Sequence, residues 1–554
     1  MNDRTQGEGS LPEEKTGAAA SGAFPTRAFL SGLAGFLVSL LFLNLLLWDP
    51  SPEMPALAAP GPSMPAFRGL PPRRSPGEIR VFVVGASLTS GYPYQPPGAA
   101  SYASLLEKGL AALFPGRTVT CRPAAVPALD SPRLAEIVRE ALRRDPSLVC
   151  VALGSNEYAN RIFFGRSLVP SGWKDKAVDR ISRARLLFKA LWRLLPGGKV
   201  RASRQVQAGI ARRILRARPG RPGLAGLPVG KADRRLLLAR MARAMEEMSR
   251  ACARKKVPLV FLAAAHNLAG SWPWSDLGKK GAREADRLVE AYRLGGPGER
   301  GRLRGAVETA LTKFPGRADL AFLEGLLLER GGDRDRAGTF FRRARDADGV
   351  PMHRTGPILR RIRESARNLG RPFLDLNIPL AEGRKGRIPD PRLFLDYGHL
   401  DLEGHKILAR RLARFLSERG FLPSLPLGWE ELFRKSVEAY LEKTITPSSR
   451  RRARPNLAWA NGNFFMLFGN FRDALPLLEK AFREGAAGSP EADLPYAFNL
   501  LFCAYSLAGK QEAVTGLAPE KRQALFQAAY RRLLQAAKQG TLDQALRELT
   551  GRKE

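Results

Sequence analysis

Cysteine is scarce, at four in 554 residues. Cys121, Cys150, Cys252 and Cys503 have no CxxC spacing and are too few to staple a chain this long, which excludes a disulfide framework and leaves no thiolate metal centre to expect. No cofactor is expected either. Acid is also short: 53 Asp and Glu stand against 90 Lys and Arg, a formal charge of +37. Such an excess attracts nucleic acid, anionic lipid or acidic polysaccharide. Much of it is arginine spread along the whole chain, however, and neither a zinc knuckle nor an aromatic-interleaved RNA motif accompanies it, so nucleic acid is not an expected partner.

Long apolar runs are absent with one exception. Residues 28–48 read AFLSGLAGFLVSLLFLNLLLW without a charge. At about 1.5 Å per residue this crosses the roughly 30 Å hydrocarbon core of a bilayer. Arg4, Lys15 and Arg27 precede it and no Lys or Arg follows before Arg68, so the amino end is expected inside and the bulk of the chain exported, as a single-pass protein of the inner membrane with a periplasmic body. A cleavable signal peptide competes, with Ala56 and Ala58 as its small-residue site. The apolar core exceeds the usual ~7–15 residues and that site lies well past its end, which favours an uncleaved anchor. Residues 1–27 read as a disordered tail and 49–77 as a Pro- and Ala-rich tether.

A chain of 554 residues is too long for one core, and about three or four domains are expected. From residue 78 strand and helix patterns alternate: strand 79–84, helix 99–114, strand 118–121, helix 131–144, strand 147–153. That alternation predicts an α/β fold with a doubly wound, mostly parallel sheet. In its 2-1-3 strand order Cys121 and Cys150 lie about two strand spacings apart, too far to bridge, and are expected as free, buried thiols. Residues 173–256 are helical and strongly basic, interrupted near Pro196 and across 218–230; they read as a solvated charged surface, with contact to an anionic membrane or polyanion as the other reading. Strand 257–265 leads into His266, Asn267 and a loop whose Trp272 and Trp274 suit the lining of a substrate cleft. His266, with no carboxylate partner in view, reads as a loop or core histidine.

The pattern is helical over 277–350, resumes α/β over 351–425 with a helix at 357–368 and a strand at 372–376, and is helical again over 426–554. Gly325, Ala337, Phe341 and Ala344 stand at relative positions 0, 12, 16 and 19, and Gly462, Ala474, Leu478 and Ala481 repeat that spacing. The small and bulky positions match a tetratricopeptide repeat, with a weaker third pair over 496–514. Such pairs bury their apolar faces by stacking, into a small solenoid or onto the α/β domain; the region from about residue 427 is expected to be a separate helical unit that offers protein partners a surface.

Three short blocks carry chemistry. VFVVGASLTSG, 81–91, is a buried strand ending in small residues, a turn that presents Ser87 at the carboxyl edge of a parallel sheet with a helix N-terminus behind it. Gly154, Ser155 and Asn156 follow another strand, where an asparagine amide can donate to an oxyanion. Asp396 and His399, three residues apart at the start of an amphipathic helix, suit a carboxylate that orients an imidazole and stabilises its charged form. Each block alone also reads as a flexible connection, a turn or a helix entry. His405, one turn further, reads as structural.

Taken together and in this order, the blocks resemble the SGNH, or GDSL-like, hydrolases over roughly 79–421. The resemblance implies Ser87 as nucleophile, His399 as base and Asp396 as its orienter, with oxyanion donors from Ser87 N–H, the Asn156 amide and a backbone N–H of the family's second block. Here that block reads RPAAVPALDS, with Ala125 where the family has glycine. Alanine keeps the N–H but loses glycine's access to positive φ, so a misdirected donor and a slow enzyme are expected. The resemblance and the anchor together imply a membrane-bound esterase or acyltransferase acting on an acylated envelope glycan or another small acyl ester. The competing reading is a catalytically silent scaffold whose repeats recruit envelope-assembly partners.

Overall fold

The computed structural model describes residues 64–127, 129–158, 229–273, 282–295, 297–351, 354–467, 471–485, 500 and 527–528. The tail, the apolar stretch 28–48 and the third repeat pair at 496–514, Leu500 apart, lie outside these. Among the described residues no helix is long and apolar enough to cross a membrane.

In chain order the elements are β1 Ile79–Gly85, α1 Ser87–Ser90, α2 Tyr102–Leu113, β2 Val119–Ala125, α3 Ser131–Ala141, β3 Leu148–Leu153, α4 Lys231–Arg254 and β4 Leu259–Ala263. Then come α5 Ala282–Leu294, α6 Pro297–Lys313, α7 Ala318–Arg330, α8 Arg334–Ala347, α9 Gly356–Asn368, β5 Phe373–Asp375 and α10 Asn377–Leu380. The last are α11 Leu402–Glu418, α12 Trp429–Thr444, α13 Pro447–Leu467 and α14 Phe471–Gly485.

The five strands form one parallel sheet in the order β2-β1-β3-β4-β5. Side chains alternate across a strand, so a sheet covered on both faces needs apolar residues at every position. The strands supply them. Val81, Val83, Cys150, Ala152, Val260 and Leu262 face a core shared with α2, α11 and α12, while Phe82, Val84, Val149, Val151, Phe261 and Ala263 face one shared with α3, α4 and α9. Cys121 and Cys150 sit on β2 and β3, on either side of β1, and with Cys252 are free and buried.

Four boundaries differ from the sequence expectation. The tether is not free over its last part: Met64, Ala66 and Phe67 are buried, and the Phe67 ring meets Phe82 edge-on at 5.3 Å. The end of the basic segment is not a solvated surface. α4 turns Leu237, Met241, Met245, Met248 and Cys252 onto the sheet, a stripe at helical spacing that its many arginines hide in the sequence. Nor do the helices after residue 426 begin a separate unit: Phe433, Val437 and Leu441 of α12 belong to the first sheet core. Gly109 of α2 makes the room, since a Cβ there would lie 2.1 Å from the Phe433 ring. The Trp272 ring, finally, packs on helices instead: at 4.7 Å on Phe322 and at 6.5 Å on Tyr292, against the core of the helices inserted between β4 and β5. Trp274 lies outside the described residues.

The repeat spacing has a packing cause. In the α7–α8 hairpin a Cβ on Gly325 would sit 2.7 Å from the Phe341 ring, and in α13–α14 a Cβ on Gly462 would sit 2.7 Å from Leu478. Each pair places a glycine under a bulky side chain, which lets two helices consecutive in the chain approach closely.

Candidate functional site

β1 ends in the turn that carries Ser87. Gly85 admits it, because a Cβ there would lie 2.1 Å from Thr89 Oγ1, and Gly91 closes it at φ 70° with a Cβ direction blocked 2.5 Å away by Ser101 N. Ser87 begins α1 and is partly exposed, its carbonyl accepting from Ser90 Oγ at 2.8 Å and from Tyr92 N at 3.2 Å. α1 has only four residues, so the helix-terminus field expected behind the serine is that of a single turn. Tyr102 OH and Thr89 Oγ1 are hydrogen-bonded at 3.0 Å beneath the turn.

The Asp396 and His399 pair lies in the loop before α11 rather than on the helix, which starts at Leu402 with Asp401 as its cap. The loop is pinned into a tight hairpin by the Phe394–Leu400 bridge and by Leu395 N donating to His399 O at 2.7 Å. Asp396 Oδ1 accepts the N–H groups of Gly398 and His399, each at 2.8 Å, and Oδ2 accepts His399 Nδ1–H at 2.8 Å. Both side chains are nearly closed off, at 8% and 9% exposure. Burial opposes ionisation of Asp396, but the charge and ring N–H of His399 and the two backbone donors outweigh it and hold the carboxyl below its usual range. Since a carboxylate only accepts, the ring nitrogen facing it carries the hydrogen and the lone pair of the neutral ring falls on Nε2. Tyr92 packs edge-on against the His399 ring at 5.4 Å, so one residue ties the Ser87 turn by its N–H and the imidazole by its ring.

Asn156 lies just past β3, its Nδ2 donating to Leu129 O at 3.3 Å. Ala125 is the last residue of β2, paired with Gly85 at the carboxyl end of β1. Among the described residues only Asp145, Lys256 and Arg387 have positive φ without being glycine, so Ala125 keeps an ordinary extended backbone and the position asks for no glycine freedom. Val126 N is spent on Gly85 O at 3.2 Å. The structure thus brings Asp396 and His399 together and sets Ser87, Ala125 and Asn156 at the carboxyl ends of three adjacent strands.

Residues assigned no part in the site from the sequence hold this arrangement. Asn267, after β4, donates from Nδ2 to Asp396 O at 3.0 Å and from its backbone N to Tyr397 O at 2.9 Å, anchoring the hairpin to the sheet. Its neighbour His266 is buried and bonded to Asn377 through both its backbone N–H and its Nδ1, at 2.9 Å each. Asn377 N in turn meets Asp375, whose carboxylate pairs with the buried Arg354 at 2.8 Å. Only their place after a strand end marked Asn267 and His266 in the sequence. His405, fully buried and parallel to the Tyr102 ring at 6.2 Å, is pushed down to about 3 by burial and by the charge of His399, and stays neutral as a core residue. Beside the hairpin opens a cavity of ≈ 400 Å³ lined by Tyr94, Leu395 and Leu402 and, from α13, by Arg450, Arg451 and Arg454. Among the described residues no group of three or more His, Cys, Asp and Glu is placed to hold a metal ion.

No family model matches the chain and no curated protein matches it. Among solved structures, a GDSL-like lipase from Bacteroides thetaiotaomicron is similar at 11% identity over 62% of this chain and 91% of that one, with a TM-score of 0.26. A likeness of that size carries no argument about this chain, and what is established here is an α/β protein with a five-stranded parallel sheet and many helices.

Proposed function

We propose that the protein is a serine-type esterase or acyltransferase, anchored by residues 28–48 and acting outside the membrane on an acylated envelope glycan or another small acyl ester. The observation that carries the chemistry is the Asp396–His399 pair, ordered by three hydrogen bonds and sharing the Tyr92 contact with the Ser87 turn. His399 Nε2 takes the proton from Ser87 Oγ as the oxygen attacks the ester carbonyl carbon. The carbonyl oxygen becomes an oxyanion, for which Ser87 N–H, Ala125 N–H and the Asn156 amide are the proposed donors; the Asn156 NH₂ keeps a second hydrogen beside the one given to Leu129. Collapse breaks the ester C–O bond and the leaving alkoxide takes the proton back from His399. Water or a sugar hydroxyl then repeats the sequence on the acyl-serine; the same residues serve hydrolysis and transfer. Asp396 stabilises the imidazolium throughout.

The test is labelling with a serine-reactive fluorophosphonate. The parent protein should label, Ser87→Ala should abolish labelling, His399→Ala should reduce it nearly as far at neutral pH, and Asp396→Asn should be the mildest of the three. If Ser87→Ala labelled as strongly as the parent, the assignment would fail and a non-catalytic scaffold would take its place.

A further inference from the structure

Asp396 Oδ2, the oxygen that receives His399 Nδ1–H, accepts a second hydrogen bond from far along the chain. Asn461 Nδ2, on α13, lies 3.3 Å away. A carboxylate oxygen has room for two such donors, and here one is the imidazole and the other this amide. We propose that Asn461 is a positioning residue acting through Asp396, and that α13 is a wall of the site rather than an appended helix.

The proposal rests on the reading of Asp396 and His399 as a catalytic pair, and three further observations place α13 there. Ser449, in its first turn, accepts Gln95 N at 2.8 Å from the loop that follows the Ser87 turn. Ala453 is buried in the same core as β1 and β3. Arg450, Arg451 and Arg454 line the same cavity as Tyr94 and Leu395. Next to Asn461, Gly462 admits Leu478 of α14, so the closeness of the two helices fixes where the amide stands. Asn461 draws charge from the oxygen that faces the imidazole. Without it the N–H groups of Gly398 and His399 still hold the carboxylate in place but the charge on Oδ2 is larger, so imidazolium is held more tightly and the acid limb of the reaction moves to higher pH. The charged and titratable groups around the pair are Tyr92 and Tyr397, whose rings pack on His399, His405 on α11, and on α13 Arg454, whose charge reaches Asp401. Each is unchanged by substitution at residue 461.

The experiment uses the full chain with Asn461→Ala and Asn461→Asp. With a fluorophosphonate probe across pH 5–9, Asn461→Ala should still label at Ser87, with the acid limb moved up by about 0.5–1 pH unit and the rate on that limb down about three- to ten-fold. Asn461→Asp, which sets a second carboxylate beside Asp396, should move it further in the same direction. The His399 Cε1–H resonance, one of four histidine signals and assigned with His399→Gln, reads the coupling without any chemistry. Its pH response should move up in both variants. A resonance and an acid limb that stay where the parent has them, in folded variants, would overturn the role of Asn461. A parent that never labels while the resonance still responds would instead remove the esterase reading and leave the Asn461–Asp396 coupling standing.

Discussion

Glu157, the residue after Asn156, offers the sharpest test of the energetics near the site. It is 3% exposed and receives Ser131 Oγ–H at 2.5 Å and Ser131 N–H at 3.4 Å, so that it ties the loop after β3 to the start of α3. Burial, and secondarily the charge of Asp130, push its carboxyl from 4.5 up to about 7, against the opposing effect of the Ser131 bonds. The folded protein therefore keeps a proton that the unfolded chain gives up between those two values. Its contribution to stability is fully present below about 4.5 and is lost as pH rises through the window to about 7. At about 1.4 kcal/mol per pH unit the whole window is worth about 3 kcal/mol. In Glu157→Gln the side chain cannot ionise, its carbonyl can still accept from Ser131 Oγ, and its amide replaces a carboxylate facing Asp130. The variant should match the parent near pH 4.5 and exceed it by up to about 3 kcal/mol at pH 8, measured by urea denaturation at several pH values. A difference that does not grow with pH would mean that Glu157 is not the group that titrates, and the burial argument would fall.

Phe433→Ala should cost about 3–5 kcal/mol, because the ring fills the space left by Gly109 in the sheet core. The loss should appear in the main unfolding transition of the α/β fold; a loss confined to a separate transition would restore an independent C-terminal unit. Ala125→Gly should leave the labelling rate of the Ser87 site within about two-fold of the parent, since the residue has an extended backbone without positive φ. A large gain would show that the end of β2 moves into a conformation alanine resists.

The sheet was legible because its rule is local. Val81 and Val83 alternate with Phe82 and Val84 across two cores, and a short apolar run bounded by small residues suffices to mark such a strand. The Asp396–His399 spacing was equally local, though it belongs to a hairpin and not to the helix beyond it. What stayed hidden depends on partners distant in the chain. Asn461 carries no signature until α13 is placed against the hairpin, and Phe433 looks like any apolar helix residue until Gly109 is opposite it. Trp272 suited a cleft only because the helices it packs on are inserted behind it. α4 was masked by composition: its arginines raise the charge of the whole segment while the Leu and Met stripe keeps its period.

The order of the chain also sets when the site can exist. Ser87 and its turn emerge early, whereas the hairpin that holds His399 comes about 300 residues later and Asn461 about 370 residues later. At about 5–20 residues per second of synthesis, Ser87 precedes the proposed base by on the order of 15–60 s and α13 by somewhat longer. During that interval β1 can already pair with β2 and β3, but its hydroxyl is an ordinary alcohol. Under the proposed function, reactivity would therefore arrive only with a body almost completely made.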